Sequence, residues 1–267
     1  MRKTFTGELM AEFLGTALLV LLGNGVVATA ILMGAYQGQW QPSILWGLTV
    51  AGLVYIFGGV SGAHFNPAVT LTVAFFRDFP KAKILPYILA QVAGGFAGSA
   101  VLHGLISSRL TAFEASKNIV RDTAAGEATA RIFSTYPGTD VSAMNAFFIE
   151  IVITMMLLMV ILAITDNRQA GAPQGGLGPV VVGATVALLV GIGGPWTMAA
   201  LNPARDLGPR LWMAVAGWGP TAVPGPGGYM WVPILGPIVG GILAGFVYEN
   251  LVRPYLPAAA PASDKAA

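Results

Sequence analysis

Apolar residues fall in long runs along this chain, broken by Gly and Pro. Six runs are candidates to cross a bilayer: about 8–32, 43–60, 84–106, 143–165, 178–194 and 231–250. A membrane helix needs roughly 20 mostly apolar residues to cover ~30 Å of hydrocarbon, and tilt or irregular ends extend the two shorter runs. Two further runs, 66–76 and 203–214, fall short. At ~1.5 Å per residue such a helix reaches about half-way. Each starts within an Asn-Pro-Ala triplet, in "SGAHFNPAVTL" (61–71) and in "AALNPARDLGP" (199–209). The pattern predicts an all-α membrane protein with six transmembrane helices and two re-entrant half-helices.

The two halves match. "AEFLGTALLV" (11–20) pairs with "IEIVITMMLL" (149–158), aligning Glu12 with Glu150 and Thr16 with Thr154. Glu12 precedes Asn66 by 54 residues, and Glu150 precedes Asn202 by 52. "YILAQVAGGFAG" (87–98) resembles "PILGPIVGGILAG" (233–245). Three full spans per half make the second half enter the membrane upside down, an inverted repeat with its functional groups at the midplane. We therefore expect one transmembrane domain over 1–256. Repeats of about 5–106 and 143–256 flank a polar linker, 107–142, and 257–267 form a disordered cytoplasmic tail. Small residues four apart (Gly94 and Gly98, Gly236 and Gly240, Gly241 and Gly245) suit close helix packing.

Composition agrees. Of 267 residues, 55% are hydrophobic and 10% charged, against roughly 25% charged in a soluble domain. The absence of Cys excludes disulfides and thiolate chemistry. Only His64 and His103 are available to a metal, and no ligand-spaced carboxylates join them, so no metal or other cofactor is expected. No basic run interleaved with aromatics points to nucleic acid. The basic N-terminus and first apolar run mimic a signal peptide. The run is too long for one, and it carries Glu8 and Glu12, so we expect it to be kept.

Orientation follows from Lys and Arg. With the N-terminus inside, Arg2, Lys3, Arg77, Lys81, Lys83, Arg168, Arg253 and Lys265 share one side, eight of fourteen. The other side holds Arg109, Lys117, Arg121 and Arg131 in one long loop, with Arg205 and Arg210 near the second half-helix. Both termini are expected in the cytoplasm.

Non-helical backbone at membrane depth persists only inside protein or along a water-filled cavity. Gly62–Phe65 and Met198–Leu201 read as extended re-entrant chain. Pro67 and Pro203 suit the first helical turn, where a missing N–H costs nothing, and Asn66 and Asn202 suit the N-cap. If the half-helices enter from opposite faces, their N-termini meet, each with about half a positive charge. That arrangement repels cations and suits a pore for small neutral polar solutes. The carbonyls of Gly62, Ala63, His64, Phe65, Met198 and Ala200 would line it, with the His64 side chain either facing the pore or supporting its loop. Glu12 and Glu150 are costly inside apolar helices. They serve either as proton relays or, the reading we favour, as acceptors for loop N–H groups.

These residues resemble the major intrinsic proteins, the aquaporins and glycerol facilitators, over roughly 5–256. "GQW" (38–40), "WGL" (46–48), "SGAHFNPAVT", "FSTYP" (133–137), "NPARDLGP" and "GPIVG" are similar to the bacterial glycerol facilitator branch. Asp206, directly after Arg205, is a mark of that branch and is expected to support its loop. The resemblance implies an hourglass pore in each protomer, a homotetramer and a bacterial inner-membrane location. It also implies a selectivity filter at Trp46, Val190, Ala199 and Arg205. Two positions depart from the branch, which carries Gly at the place of Val190 and Phe at that of Ala199. Trp196 and Met198 are candidates to refill the space. A strict water channel has a His opposite the Arg, and no His follows His103. Expected solutes are therefore glycerol, related polyols and water, in contact with lipid around the protein. The alternatives are a mainly water- or urea-conducting channel and an ion-coupled transporter. No nucleophile–base pair or nucleotide loop suggests an enzyme.

Overall fold

The computed structural model describes residues 4–257, so Arg2, Lys3, Lys265 and all of the expected tail beyond Pro257 lie outside the described residues. Among the described residues there are ten α-helices and no strand. The first repeat contains α1 (Phe5–Met33), α2 (Trp40–Ser61), the short α3 (Pro67–Phe76) and α4 (Ile84–Lys117). A one-turn α5 (Glu127–Ala130) interrupts the linker. The second repeat contains α6 (Ala143–Ile164), α7 (Gly178–Thr197), the short α8 (Pro203–Met213), a one-turn α9 (Gly219–Ala222) and α10 (Val232–Val247). Helical turns on both sides extend α10 into a stretch over Pro226–Tyr255. With it, six helices among the described residues are long and apolar enough to cross a membrane.

Capping explains the starts. Thr4 accepts from the Gly7 N–H at α1, and Ser142 from the Asn145 N–H at α6. The half-helices begin at Pro67 and Pro203 behind Asn66 and Asn202, whose side chains accept from Ala68 N–H and from Ala204 and Arg205 N–H. Their lengths, 10 and 11 residues, keep them to about half a bilayer.

Packing obeys the repeat. α1 lies against α4 as α6 lies against α10, and α2 packs on its counterpart α7. Each half-helix is braced by the other repeat: α3 against α10, α8 against α4. Matched glycines permit these approaches. A Cβ on Gly94 would lie 2.3 Å from the Phe13 carbonyl, and one on Gly240 would lie 2.4 Å from that of Ile151. Their neighbours face the opposite half-helices, Gly95 at the Ala204 carbonyl and Gly241 at Ala68 and Thr72.

One boundary differs from expectation. α4 does not stop near 106 but runs to Lys117, well into the expected linker. Buried Leu110 and Glu114 anchor the extra turns. The Glu114 carboxylate accepts from Arg121 and Thr129, and the Arg121 guanidinium lies 4.1 Å from the centre of the Trp218 ring. The linker is thus folded onto the bundle, with Phe133, Ser134, Thr135 and Tyr136 all buried.

The glycine contacts make a test. Gly94→Val and Gly240→Val should each cost about 1–3 kcal/mol through overpacking, lowering the thermal midpoint of the detergent-solubilised protein by several degrees. Gly104→Ala, whose Cβ meets nothing within 4 Å, should leave it unchanged or raise it slightly.

Candidate functional site

Where α2 ends, four residues run non-helically to Asn66; where α7 ends, four run to Asn202. Backbone here adopts left-handed φ at three of the four positions of each loop: 90° at Gly62, 53° at Ala63 and 51° at Phe65, and 60° at Met198, 49° at Ala199 and 56° at Leu201. Each such non-glycine residue costs roughly 1–2 kcal/mol, so something must hold the chain.

The holding groups are the two carboxylates inside α1 and α6, both fully buried. Glu12 accepts from His64 N–H at 3.0 Å and Phe65 N–H at 2.7 Å, and from the Ser61 hydroxyl and Gln91 amide. Glu150 accepts from Ala200 N–H at 2.8 Å and Leu201 N–H at 3.0 Å, and from the Thr197 hydroxyl. Ser61 and Thr197 in turn accept from Ala63 and Ala199 N–H. Orphan donors that water would otherwise satisfy are matched by charged acceptors, the stronger kind of hydrogen bond. Both oxygens of each carboxylate are engaged.

The loops also complete one another. Asn66 Nδ2 donates to the Leu201 carbonyl and Asn202 Nδ2 donates to the Phe65 carbonyl, both at 2.8 Å. Each Asn oxygen meanwhile accepts from its own half-helix. Each amide has a second N–H without a protein acceptor among the described residues, beside the two helix N-termini.

A cavity of about 500 Å³ runs past this junction. Asn66 and Asn202 line it together with Gly62, Ala63, His64, Phe65, Leu201 and Ala200. The opposite wall is apolar, from Val50 and Val54 of α2, Leu157 and Ile161 of α6 and Val182 and Val186 of α7. One mouth lies at Arg77 and Thr165. Arg77 is ion-paired with Glu249, which also holds Arg253. Nearby, burial pushes the Asp166 carboxyl up, but the Arg168 N–H and the Arg253 and Arg77 guanidinium groups hold it below the usual carboxylate range. The other end of the cavity stands at Trp46, Val190, Ala199 and Arg205, which the fold brings together. There the Arg205 guanidinium lies 4.9 Å from the centre of a Trp46 ring. Arg205 is 4% exposed, and its Nη1 is buried without a hydrogen-bond partner.

Two expected positions sit elsewhere. Met198 is absent from the cavity wall and packs beside Arg131, with its sulfur 3.6 Å from Nη1. Trp196 is also absent from the wall and is 53% exposed. Neither refills the space beside Ala199. Asp206 is fully buried away from the cavity, accepting from Thr135 N–H and hydroxyl and ion-paired with buried Arg210. His64 lines the cavity, and its Nδ1 is 3.1 Å from the Thr70 hydroxyl of α3. His103 stacks edge-on among Phe133, Trp212 and Trp218.

Sequence reasoning missed Ser61, Thr197, Gln91 and Arg77. Aligning the loops, "SGAHFNPA" with "TMAALNPA", would have exposed the first two as matched hydroxyls. Gln91 has no such signal, since Pro237 takes its place in the second repeat. The Glu150 network predicts that Glu150→Gln turns an amide donor toward a loop N–H. This should cost about 1–3 kcal/mol, read as a lower thermal midpoint. Glu150→Ala should cost more and abolish solute flux in proteoliposomes.

Known proteins agree with this architecture. The Major intrinsic protein family model matches residues 1–248. The glycerol uptake facilitator protein of Escherichia coli (strain K12) is 44% identical over 257 residues, covering 96% of this chain and 91% of that one. That of Pseudomonas aeruginosa is 46% identical, covering 96% and 92%. The propanediol uptake facilitator of Citrobacter freundii is 40% identical, covering 96% of each. The X-ray structure of the aquaglyceroporin from Plasmodium falciparum superposes with a TM-score of 0.81 at 30% identity, covering 94% and 98%. A multi-pass membrane protein by its six apolar helices, the chain belongs to the major intrinsic protein family.

Proposed function

We propose that the chain is a passive channel for glycerol and related small neutral polyols, with water, that turns back protons and other ions. The observation that carries this reading is the pairing at the cavity's centre: two half-helix N-termini, two Asn amides with a spare N–H each, and an apolar wall opposite. A polyol carries hydroxyls on one side of its carbon backbone and C–H groups on the other, and the cavity lining is divided the same way. The relatives' names, glycerol and propanediol uptake facilitators, point to the same solute class.

In this reading Asn66 and Asn202 donate to the solute at the pore centre, while the carbonyls of Gly62, Ala63, His64, Phe65 and Ala200 accept from it. Met198, away from the cavity wall, contributes to the shape of the loop. Trp46, Val190, Ala199 and Arg205 form the selectivity filter. Arg205, with a buried donor unspent, replaces water on a solute hydroxyl as Trp46 takes the C–H face. A cation meets the guanidinium and then the positive ends of two helices. The methyl of Ala199 leaves this filter with one aromatic wall. Asp206 supports the linker segment above α8. Both termini lie in the cytoplasm of a bacterial inner membrane, the side favoured by the Lys and Arg distribution. Four protomers, each with its own pore, pack through their exposed apolar helix faces.

Ion coupling is disfavoured by the carboxylates themselves. A coupling site needs an acid free to take up and release an ion, and the oxygens of Glu12 and Glu150 are all committed to holding backbone.

In proteoliposomes, stopped-flow shrink–swell assays should show glycerol flux that does not saturate and is indifferent to proton and sodium gradients. Flux that vanishes without a gradient would overturn the channel. The same vesicles compare water and urea, so glycerol permeability no greater than in empty liposomes, with water fast, would favour the water-conducting alternative. Arg205→Ala should leave the thermal midpoint nearly unchanged while raising cation leak by about tenfold or more, the change that ~1.4 kcal/mol off a barrier produces. Unaltered solute and ion permeability would remove Arg205 from the filter.

A further inference from the structure

Three described arginines have no carboxylate partner: Arg109, Arg168 and Arg205. Arg205 faces the cavity, and Arg168 donates to the carbonyls of Leu256 and Pro257. Arg109 stands on the outside of α4, level with the last turn of α1. Its Nε and Nη2 both donate to the Leu32 carbonyl, at 3.1 and 2.7 Å. That fork fixes the guanidinium in place and leaves Nη1 without an acceptor among the described residues.

Directly beside it, a groove of about 190 Å³ runs between α1 and α4. Gly25 and Ala28 form its small-residue floor, and Leu32, Leu105 and Ile106 its sides. Its one hydroxyl, Thr29, is already donated to the Gly25 carbonyl, so the walls offer no free polar group. Leu105, at 73% exposure, marks the groove as open outward. α1 spans the membrane and ends at Met33, which puts Arg109 at the boundary between hydrocarbon and water on the side opposite the N-terminus.

We infer that this groove is a phospholipid site, with the lipid phosphate on Arg109 and one acyl chain lying between α1 and α4. The charge selects the occupant. Hydrocarbon gains little by moving from bilayer to groove, because both are apolar, so a chain alone would be held only weakly. A phosphate at a fixed, unpaired guanidinium supplies the difference, and the fork geometry suits it. A lipid with net negative charge is favoured over a zwitterionic one, whose own ammonium competes for the phosphate. Neither Arg109 nor Gly25 lines the cavity of the proposed pore, so the site is separate from solute passage.

The test is native mass spectrometry of the intact detergent-purified protein. It is titrated with phosphatidylglycerol, phosphatidylcholine and phosphate-free diacylglycerol. Two variants are compared with the wild type. Arg109→Gln removes the charge. Gly25→Leu fills the groove, at a position where an added Cβ meets only Leu102 Cδ1 at 3.9 Å. We expect wild type to prefer phosphatidylglycerol over diacylglycerol by about fivefold, the value of one basic side chain at a membrane surface. Arg109→Gln should erase the preference, and Gly25→Leu should lower occupancy for all three lipids. Glycerol flux should be unchanged in both. Equal lipid preference in wild type and Arg109→Gln would overturn the proposal. So would displacement of phosphatidylglycerol by inorganic phosphate, or a changed oligomer mass in Gly25→Leu, which would make the groove a contact between copies.

Discussion

Backbone that leaves a helix in the middle of a bilayer has no water to bond to. In this chain the task falls to Glu12 and Glu150. Each sits in a largely apolar helix and offers two charged oxygens to a loop that could not otherwise persist there. The left-handed residues of both loops, the caps at Asn66 and Asn202 and the half-helices behind them all rely on those bonds. An intramembrane carboxylate is usually expensive, and here the donors it collects offset that cost. The same commitment removes both groups from chemistry, which is why the buried acids of this protein point away from ion coupling.

Around those anchors the architecture is a set of paired contacts rather than a single core. The matched glycines of α4 and α10 let backbone meet backbone, first against α1 and α6 and then against the half-helix of the other repeat. In hydrocarbon, where apolar burial between helices contributes little, such close approach is the main source of cohesion. Cohesion and function share helices but not sides: α3 turns Ala68 and Thr72 to α10 and Val69 and Val73 to the cavity, and α8 turns Ala204 to α4 and Arg205 to the cavity.

Much of this was legible because it is repeated. Asn66 and Asn202 alone read as ordinary helix caps; their spacing from Glu12 and Glu150 made them a pair, and run lengths gave the half-helices. Contacts that break the symmetry were hidden. Gln91 answers to Pro237, so no internal comparison marks it as a donor to Glu12. The length of α4 was underestimated because residues 107–117 are polar enough to read as linker, while Glu114 and Leu110 are buried by a linker that folds back over them. Met198 stands at the place of Gly62 in the other loop, yet its side chain turns toward Arg131, a choice set by tertiary packing. The resemblance placed Trp46 and Arg205 near each other, but not in face contact.

The reciprocal bonds at the centre also bear on how such a chain is made. Asn66 and its acceptor at Leu201 are separated by 135 residues. When the first half leaves the ribosome, its loop can already reach Glu12, but its Asn amide and the Phe65 carbonyl have no mate. The first re-entrant segment must therefore wait, unfinished, through the synthesis of the linker and two further spans. Its last bonds form only when the second loop arrives from the opposite side. Each repeat is thus the template for the other's final step. A half-length chain would leave the Asn66 amide and the Phe65 carbonyl without the partners they have here, so each half is completed only by the other although the sequence is written twice.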